Sequence, residues 1–72
     1  MERVYTIALD THCAFTEVVV LTPSWRIRER GRCATTIPAL VDQVVQVPRP
    51  RAVVFEEGPL ADWIARGLGG RA

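Results

Sequence analysis

The sequence lacks lysine altogether, has only two cysteines and contains no long apolar run. Its nine basic residues are all arginine, and eight acidic residues nearly balance them, which leaves a formal net charge of +1. That balance gives no reason by itself to expect a nucleic-acid or membrane partner. Two cysteines make no disulfide framework, and Cys13, Cys33 and His12 are too few ligands for a thiolate metal site. We expect both thiols to be reduced and strand-associated in a cytoplasmic protein.

The absence of long apolar runs also excludes two kinds of targeting segment. No stretch approaches the roughly 20 apolar residues that a membrane-spanning helix needs, and the early charges of MERVYTIALD do not fit a signal peptide. The chain has 72 residues, of which 49% are hydrophobic, and that composition is typical of one folded domain with a small core. We therefore expect a single partial domain over residues 1–72 and no membrane partner.

Three segments in the first half of the chain have the composition of β-strands. Residues 4–9 (VYTIAL) carry apolar or small side chains on both faces, which predicts a central strand covered on both sides and closed by Asp10. Residues 15–21 (FTEVVVL) form a second strand after a tight connection. Residues 25–30 (WRIRER) alternate large apolar with charged side chains, as a half-exposed strand does. Short links between these segments predict an antiparallel meander.

The apolar period changes after residue 34. Thr35 and Thr36 are candidate N-caps, Pro38 is tolerated in a first turn, and one helical stripe follows at Ile37, Leu40, Val41, Val44 and Val45. Residues 52–55 (AVVF) are continuously apolar, as a buried parallel strand is. Gly58-Pro59 is expected to open a second helix that Gly69 and Gly70 end. Its apolar face comprises Leu60, Trp63, Ile64 and Leu68.

This order predicts an α/β fold, β-β-β-α-β-α. The helical crossover between the third and fourth strands makes the fourth parallel to an earlier strand, and the first is the best acceptor. The expected result is a mixed sheet of order 3-2-1-4 in which strands 1 and 4 are parallel. In open α/β sheets, ligands bind in the crevice at the carboxyl ends of the strands where the order reverses.

Two carboxylates are expected to meet at that crevice. Asp10 ends the first strand and Glu56 ends the fourth, and neighbouring strands lie about 4.8 Å apart. Carboxylates held so close repel unless a cation lies between them, and oxygen ligands favour Mg²⁺ or Mn²⁺. The start of the second helix adds a positive pole for an anion such as phosphate. The simpler explanation stays open: Asp10 as a turn residue and Glu56 as a charge that compensates a helix dipole.

The segments IALDTH and VVFEEGPLADWI resemble the N-terminal catalytic domain of DEDD-type insertion-sequence transposases, which has a RuvC-like, ribonuclease H-like fold. In that family the first Asp of the acidic tetrad ends the first strand, as Asp10 does. The family's Glu lies in a motif after the fourth strand. Glu56 matches it, because Gly58-Pro59 then falls on the motif's small-residue pair, and Glu57 takes the position between them that is usually a small residue. Without the motif, the choice between Glu56 and Glu57 depends on strand parity.

The resemblance implies a DNA recombinase in which Asp10 and Glu56 are catalytic and bind Mg²⁺ or Mn²⁺. For the complete protein it implies a DNA substrate, a guide RNA, two further Asp residues and a serine nucleophile from later in a longer chain. Asp42 and Asp62 cannot replace those residues, since both fall on helices that cover the sheet. We expect the 72 residues to be a truncated part of such a protein, with half an active site and little activity alone.

Four other residues are candidate contacts to phosphate or DNA: His12, Arg26, Arg28 and Arg30. The three arginines recur at period two and are expected to line one face of the third strand. A solvated edge strand that discourages aggregation explains them as well, and His12 is as easily a simple turn residue. The tryptophans, Trp25 and Trp63, are expected to pack in the core or at its edge, with base stacking by Trp25 as the lesser alternative.

Two readings from other functional classes stay open. Actin-like ATPases and sugar kinases share part of this fold and also start with a strand ending in Asp, but they wrap nucleotide phosphates with a glycine-rich hairpin. Thr-His-Cys-Ala after Asp10 contains no glycine for such a cradle. The other reading is an inactive structural remnant. Whether the chain is a truncated transposase domain or such a remnant, its fourth strand would be an open apolar edge where a fifth strand belongs in the family, and such an edge favours a homodimer.

Overall fold

A computed structural model describes residues 3–56 and 58–71 of the chain. The strand order is β3-β2-β1-β4, with β1 antiparallel to β2 and parallel to β4, so the predicted α/β topology is confirmed. The elements in chain order are β1 (Tyr5–Thr11), β2 (Phe15–Leu21), β3 (Ile27–Ala34), α1 (Ile37–Val45), β4 (Arg51–Phe55), α2 (Ala61–Leu68) and a 3₁₀ turn (Gly69–Arg71).

Both helices pack on the same face of the sheet. The buried core joins side chains of β1 and β2 to side chains of both helices and of the link that follows α1: Ile7, Leu9, Val18, Val20, Leu40, Val44, Val47, Ile64 and Leu68. We call this the covered face. On the opposite, open face no helix of the described residues lies over the sheet, and Val54 there is 49% exposed. The prediction that β1 is covered on both sides is therefore wrong.

The strands differ from their predicted bounds mainly at their ends. β1 continues to Thr11, so Asp10 lies inside the strand and not after it. β2 has the predicted bounds, and β4 begins one residue earlier, at Arg51. The extension of β1 has a local cause, because Thr11 still pairs with Thr16 across the hairpin. The turn that follows is consequently very short.

Trp25 lies in the β2–β3 turn and not in β3, which starts at Ile27. Its backbone has φ 64°, its N–H donates to the Thr22 carbonyl at 2.9 Å, and its residue exposure is 72%. The prediction that Trp25 packs in or beside the core is wrong. A positive φ costs a bulky residue conformational energy, and alternating sequence patterns carry no signal for it.

The helices begin where their caps place them. Thr36 is the N-cap of α1, and its Oγ1 accepts the Ala39 N–H at 3.3 Å. α2 begins at Ala61 after an N-cap at Leu60, so Gly58-Pro59 forms a turn before the helix and not its first residues. No helix of the described residues is long and apolar enough to cross a membrane. Trp63 on α2 is 40% exposed, so of the two positions predicted for it, in the core or at its edge, the core is excluded.

Candidate functional site

A cleft of about 450 Å³ lies where the predicted crevice was expected. Its walls come from the end of β1 and the following turn on one side, and from the end of β4 and the start of α2 on the other. Asp10 and Glu56 both line it, together with His12 and Thr11. The topology thus brings the candidate residues of two distant segments to one opening.

The register of the two parallel strands relates Asp10 to Glu56. Leu9 pairs with Phe55 at the end of the β1–β4 ladder. Asp10 and Glu56 are the residues that directly follow this pair along the two neighbouring strands. Because successive side chains of a strand point to opposite faces of the sheet, we expect the Asp10 and Glu56 side chains on the same face. The Asp10 side chain is 71% exposed and Glu56 is exposed. This parity favours Glu56 as the partner of Asp10; Glu57 lies outside the described residues.

His12 is held beside Asp10 by a tight hairpin turn. Its N–H donates to the Phe15 carbonyl at 2.8 Å, and its ring stacks on Phe15 with centroids 4.6 Å apart. The His12 Nε2 atom lies 3.5 Å from Asp10 Oδ2, so the two charges attract when the imidazole is protonated. A titratable nitrogen and a candidate metal ligand are therefore adjacent at the mouth of the cleft.

A threonine pair anchors this hairpin from the covered face. Thr35 Oγ1 donates to the His12 carbonyl at 2.6 Å and lies 2.9 Å from the Oγ1 of Thr16, which is fully buried. A buried hydroxyl without a partner is costly, so this bonding fixes the turn relative to the start of α1. Sequence reasoning identified Thr35 only as a candidate cap. The pairing of Thr16 with Cys33 near the end of β3 is the long-range feature that brings it close.

Arg32 is a site neighbour that the sequence analysis missed. Its guanidinium lies 4.2 Å from the centroid of the Phe15 ring, and its Nη2 lies 2.8 Å from Glu17 Oε1. Phe15 therefore contacts both His12 and Arg32, and Glu17 pairs with Asp10 across the β1–β2 ladder. A glutamate and an arginine at directly opposite positions of β2 and β3 are the sequence signal that could have found this pair.

The arginines of β3 do not form one stripe. A β-bulge near Leu21 interrupts the alternation of β3. Arg28 lies over the ring of Tyr5, which packs against the covered-face core, at 5.4 Å. Arg30 pairs with Val19, which belongs to the open face. Arg26 precedes the strand. The expected single face of Arg26, Arg28 and Arg30 is therefore wrong, although all three are exposed and their role as phosphate contacts stays a prediction.

Two features of the cleft lining, at Thr11 and at the start of α2, leave polar backbone or side-chain groups without a side-chain partner among the described residues. Thr11 Oγ1 is buried and has no hydrogen-bond partner there. The Ala61 N–H donates to the Gly58 carbonyl at 3.1 Å, but the first turn of α2 has no side-chain cap bond, so its other N–H groups and the helix dipole give this wall a partial positive charge. Asp62 in the same turn offsets part of that charge but is paired with Arg66. The walls thus combine exposed carboxylates with a positive helix end.

The residues present fit a divalent cation only in part. Among residues 3–56 and 58–71, no group of three or more His, Cys, Asp or Glu side chains lies close enough together to hold a metal ion. Two carboxylates at one opening suit a hard cation such as Mg²⁺, which takes oxygen ligands and keeps several waters. The donor set is therefore that of half a site.

The two thiols lie in contrasting environments. Cys13 is exposed in the β1–β2 turn, whereas Cys33 is partly buried in β3. Both thiols are free, and Cys13 is not part of a strand, contrary to the strand association predicted for it. Burial raises the pKa of the Cys33 thiol, because desolvation disfavours the thiolate.

No protein-family model, no curated protein and no solved structure matches the chain.

Proposed function

We propose that this chain is the N-terminal part of the catalytic domain of a DEDD-type DNA transposase. In this proposal Asp10 and Glu56 supply the first Asp and the Glu of a divalent-metal site for DNA strand cleavage. The observation that carries it is the position of both residues on one cleft at the carboxyl ends of two parallel neighbouring strands. That is the ligand-binding position of open α/β sheets.

Four groups of the cleft would have distinct parts in this chemistry: Asp10, Glu56, His12 and the start of α2. Asp10 and Glu56 would hold Mg²⁺ or Mn²⁺, whose charge offsets the repulsion between them. The bound cation would supply Lewis-acid stabilisation of the phosphodiester oxygens. The start of α2 favours the phosphate through its N–H groups. His12, whose Nε2 atom lies 3.5 Å from Asp10 Oδ2, would hold or move a proton beside the scissile phosphate.

The proposed site is completed by groups that these residues do not supply. Asp42 and Asp62 lie on α1 and α2, and only Asp62 has an ion-pair partner, Arg66, among the described residues; neither lines the cleft. We therefore assign DNA and a guide RNA as partners to the complete protein, and we expect little activity from these 72 residues. The free thiols fit the cytoplasm as the compartment of that protein.

A nucleotide-binding role has less support. The hairpin after Asp10 turns within two residues, Cys13 and Ala14, because Thr11 still pairs with Thr16 and His12 bonds to Phe15. It contains no glycine. Such a turn has neither the length nor the backbone freedom to wrap a chain of phosphates.

Paramagnetic broadening tests the proposed site. Mn²⁺ is titrated into ¹⁵N-labelled protein, and amide signals are followed in the wild type and in Asp10→Asn, Glu56→Gln and Glu57→Gln. Asp42→Asn is the matched control, an exposed carboxylate on α1. We expect broadening to centre on residues 9–13 and 55–61. It should fade in Asp10→Asn and in Glu56→Gln, but not in Glu57→Gln or Asp42→Asn. Broadening that persists in both, or that only Glu57→Gln or Asp42→Asn removes, contradicts the assignment.

A further inference from the structure

The two edges of the sheet differ in their protection against pairing with another strand. β3 at one edge has a bulge and carries exposed charged side chains at Arg28, Glu29, Arg30 and Arg32. Bulges and charges are devices that prevent edge-to-edge association. β4 at the other edge consists of Arg51 followed by four apolar residues, RAVVF. Only the β4 edge has the composition of a strand that accepts a partner.

The hydrogen bonding of β4 shows which backbone groups point outward. The Tyr5 N–H donates to the Pro50 carbonyl at 3.0 Å, and Tyr5 pairs with Arg51 in the parallel ladder. In such a ladder, alternate residues direct both backbone groups to the same neighbour, so Ala52 and Val54 bond to β1. The N–H and C=O of Val53 and Phe55 therefore point away from the sheet.

These outward groups are self-complementary about a two-fold axis. Two copies of β4 can lie antiparallel with Val54 opposite Val54 of the second copy. In that register Val53 of each copy faces Phe55 of the other, and each pair exchanges reciprocal N–H to C=O bonds. We propose that the protein forms a homodimer in which β4 pairs with β4 in this register, joining the two four-stranded sheets into one continuous sheet.

The side chains of the open face agree with this register. Val54 is 49% exposed, and its partner across the axis is a second Val54 in a non-hydrogen-bonded pair, where side chains approach most closely. A two-fold axis perpendicular to the sheet keeps both pairs of helices on one side. It also keeps both open faces on the other side. The dimer is proposed for the 72-residue chain itself and requires no metal, so loss of the dimer and loss of the proposed metal site would be separate results.

Amide hydrogen exchange of the wild-type chain at low and high protein concentration tests the pairing, with sedimentation velocity to give the mass. The proposal predicts a dimer whose Val53 and Phe55 amides become at least tenfold more protected as it forms. The Ala52 and Val54 amides, already bonded to β1, are protected at both concentrations. A monomer at millimolar concentration overturns the proposal, and so does a dimer without added protection at Val53 and Phe55.

A matched pair of lysine substitutions separates the two edges. Val54→Lys and Ile27→Lys each replace an exposed β-branched residue, 49% and 51% exposed respectively. Val54→Lys places two cations directly opposite each other in the dimer, so we expect its dissociation constant to rise at least tenfold. Ile27→Lys, at the β3 edge, should leave that constant unchanged. Equal effects of the two, or a larger effect of Ile27→Lys, contradict pairing through β4.

Discussion

The two faces of the sheet are built from the same four strands but carry different properties. Ile7, Val18 and Val20 on the covered face are sealed by both helices. On the open face, Ala8 and Val19 form a ladder pair next to Asp10 and Glu17, and the charged residues there are exposed. Burial is the main source of stability, so substitutions of buried residues on the covered face should destabilise the fold far more than substitutions of exposed residues on the open face.

The largest contrast is expected between two isoleucines on opposite faces. Ile7 is fully buried on the covered face and Ile27 is 51% exposed. Ile7→Ala should lower the free energy of unfolding by about 2–5 kcal/mol through lost burial and a cavity. Ile27→Ala should lower it by less than about 1 kcal/mol. Urea denaturation of both variants measures the difference, and equal losses would refute the one-sided core.

The hydrogen bonds that hold the β1–β2 hairpin to the start of α1 are tested at Thr35. Thr35→Val removes the bond to the His12 carbonyl and leaves the buried Thr16 hydroxyl without that partner. We expect the free energy of unfolding to fall by about 1–3 kcal/mol and the exchange of amides in the hairpin to rise. Thr35→Ser keeps the hydroxyl and should behave nearly as the wild type does. If both variants lose equal stability, the methyl group and not the hydrogen bonds maintains the anchor.

A smaller effect is expected where the helices that cover the sheet touch. A Cβ atom at Gly67 would overlap Ile37 Cδ1 and lie 2.8 Å from Ile37 Cγ1. Gly67→Ala should therefore lower the free energy of unfolding by about 1–2 kcal/mol, because overpacking exceeds the gain in helix propensity. Gly70→Ala, with no heavy atom within 4 Å of the new Cβ, is the control. Thermal unfolding that favours Gly67→Ala would show that the interface is loose.

The smallest effect is expected at the two cysteines, as a difference in the rates at which their thiols react. Cys33 packs against the core, and burial raises the pKa of its thiol, while Cys13 is exposed in the turn. Iodoacetamide at neutral pH should alkylate Cys13 first, since the thiolate is the reactive form. The Cys33 rate should rise only at higher pH. Because its pKa is raised on folding, its contribution to stability is lost as pH increases above the ordinary thiol pKa. Mass spectrometry of alkylated peptides decides which thiol reacts first.

The sequence predicted the topology because two of its features, the alternation of side chains in a strand and a helical crossover, strongly restrict how the strands can pair. The alternation of residues 15–21 gives β2 its bounds, and the crossover helix requires β4 to be parallel to an earlier strand. The meeting of Asp10 with Glu56 at one cleft follows from that topology. One-sided covering was not predictable, because Thr6 and Ala8 are as compatible with a helix above them as with water. Which face of the sheet the helices cover is decided by tertiary packing and not by the local sequence.

The remaining site features depend on contacts that no local pattern encodes. The bulge that separates Arg28 from Arg30 arises from pairing between β2 and β3. Thr35 reaches His12 across 23 positions of the chain. Arg32 meets Phe15 only after β3 aligns with β2. Sequence periodicity specifies which face a residue occupies within one strand, but a register shift changes that face for the residues beyond it.

The most direct test of the central claim is a double-mutant cycle for Mn²⁺ affinity. Affinity is measured by electron paramagnetic resonance titration for the wild type, Asp10→Asn, Glu56→Gln and the double variant. If both carboxylates hold one ion, either single substitution should weaken binding nearly as much as the double one does, because the two effects are coupled. Effects that add independently, or a wild type that binds no more Mn²⁺ than the double variant, would contradict a shared site at this cleft.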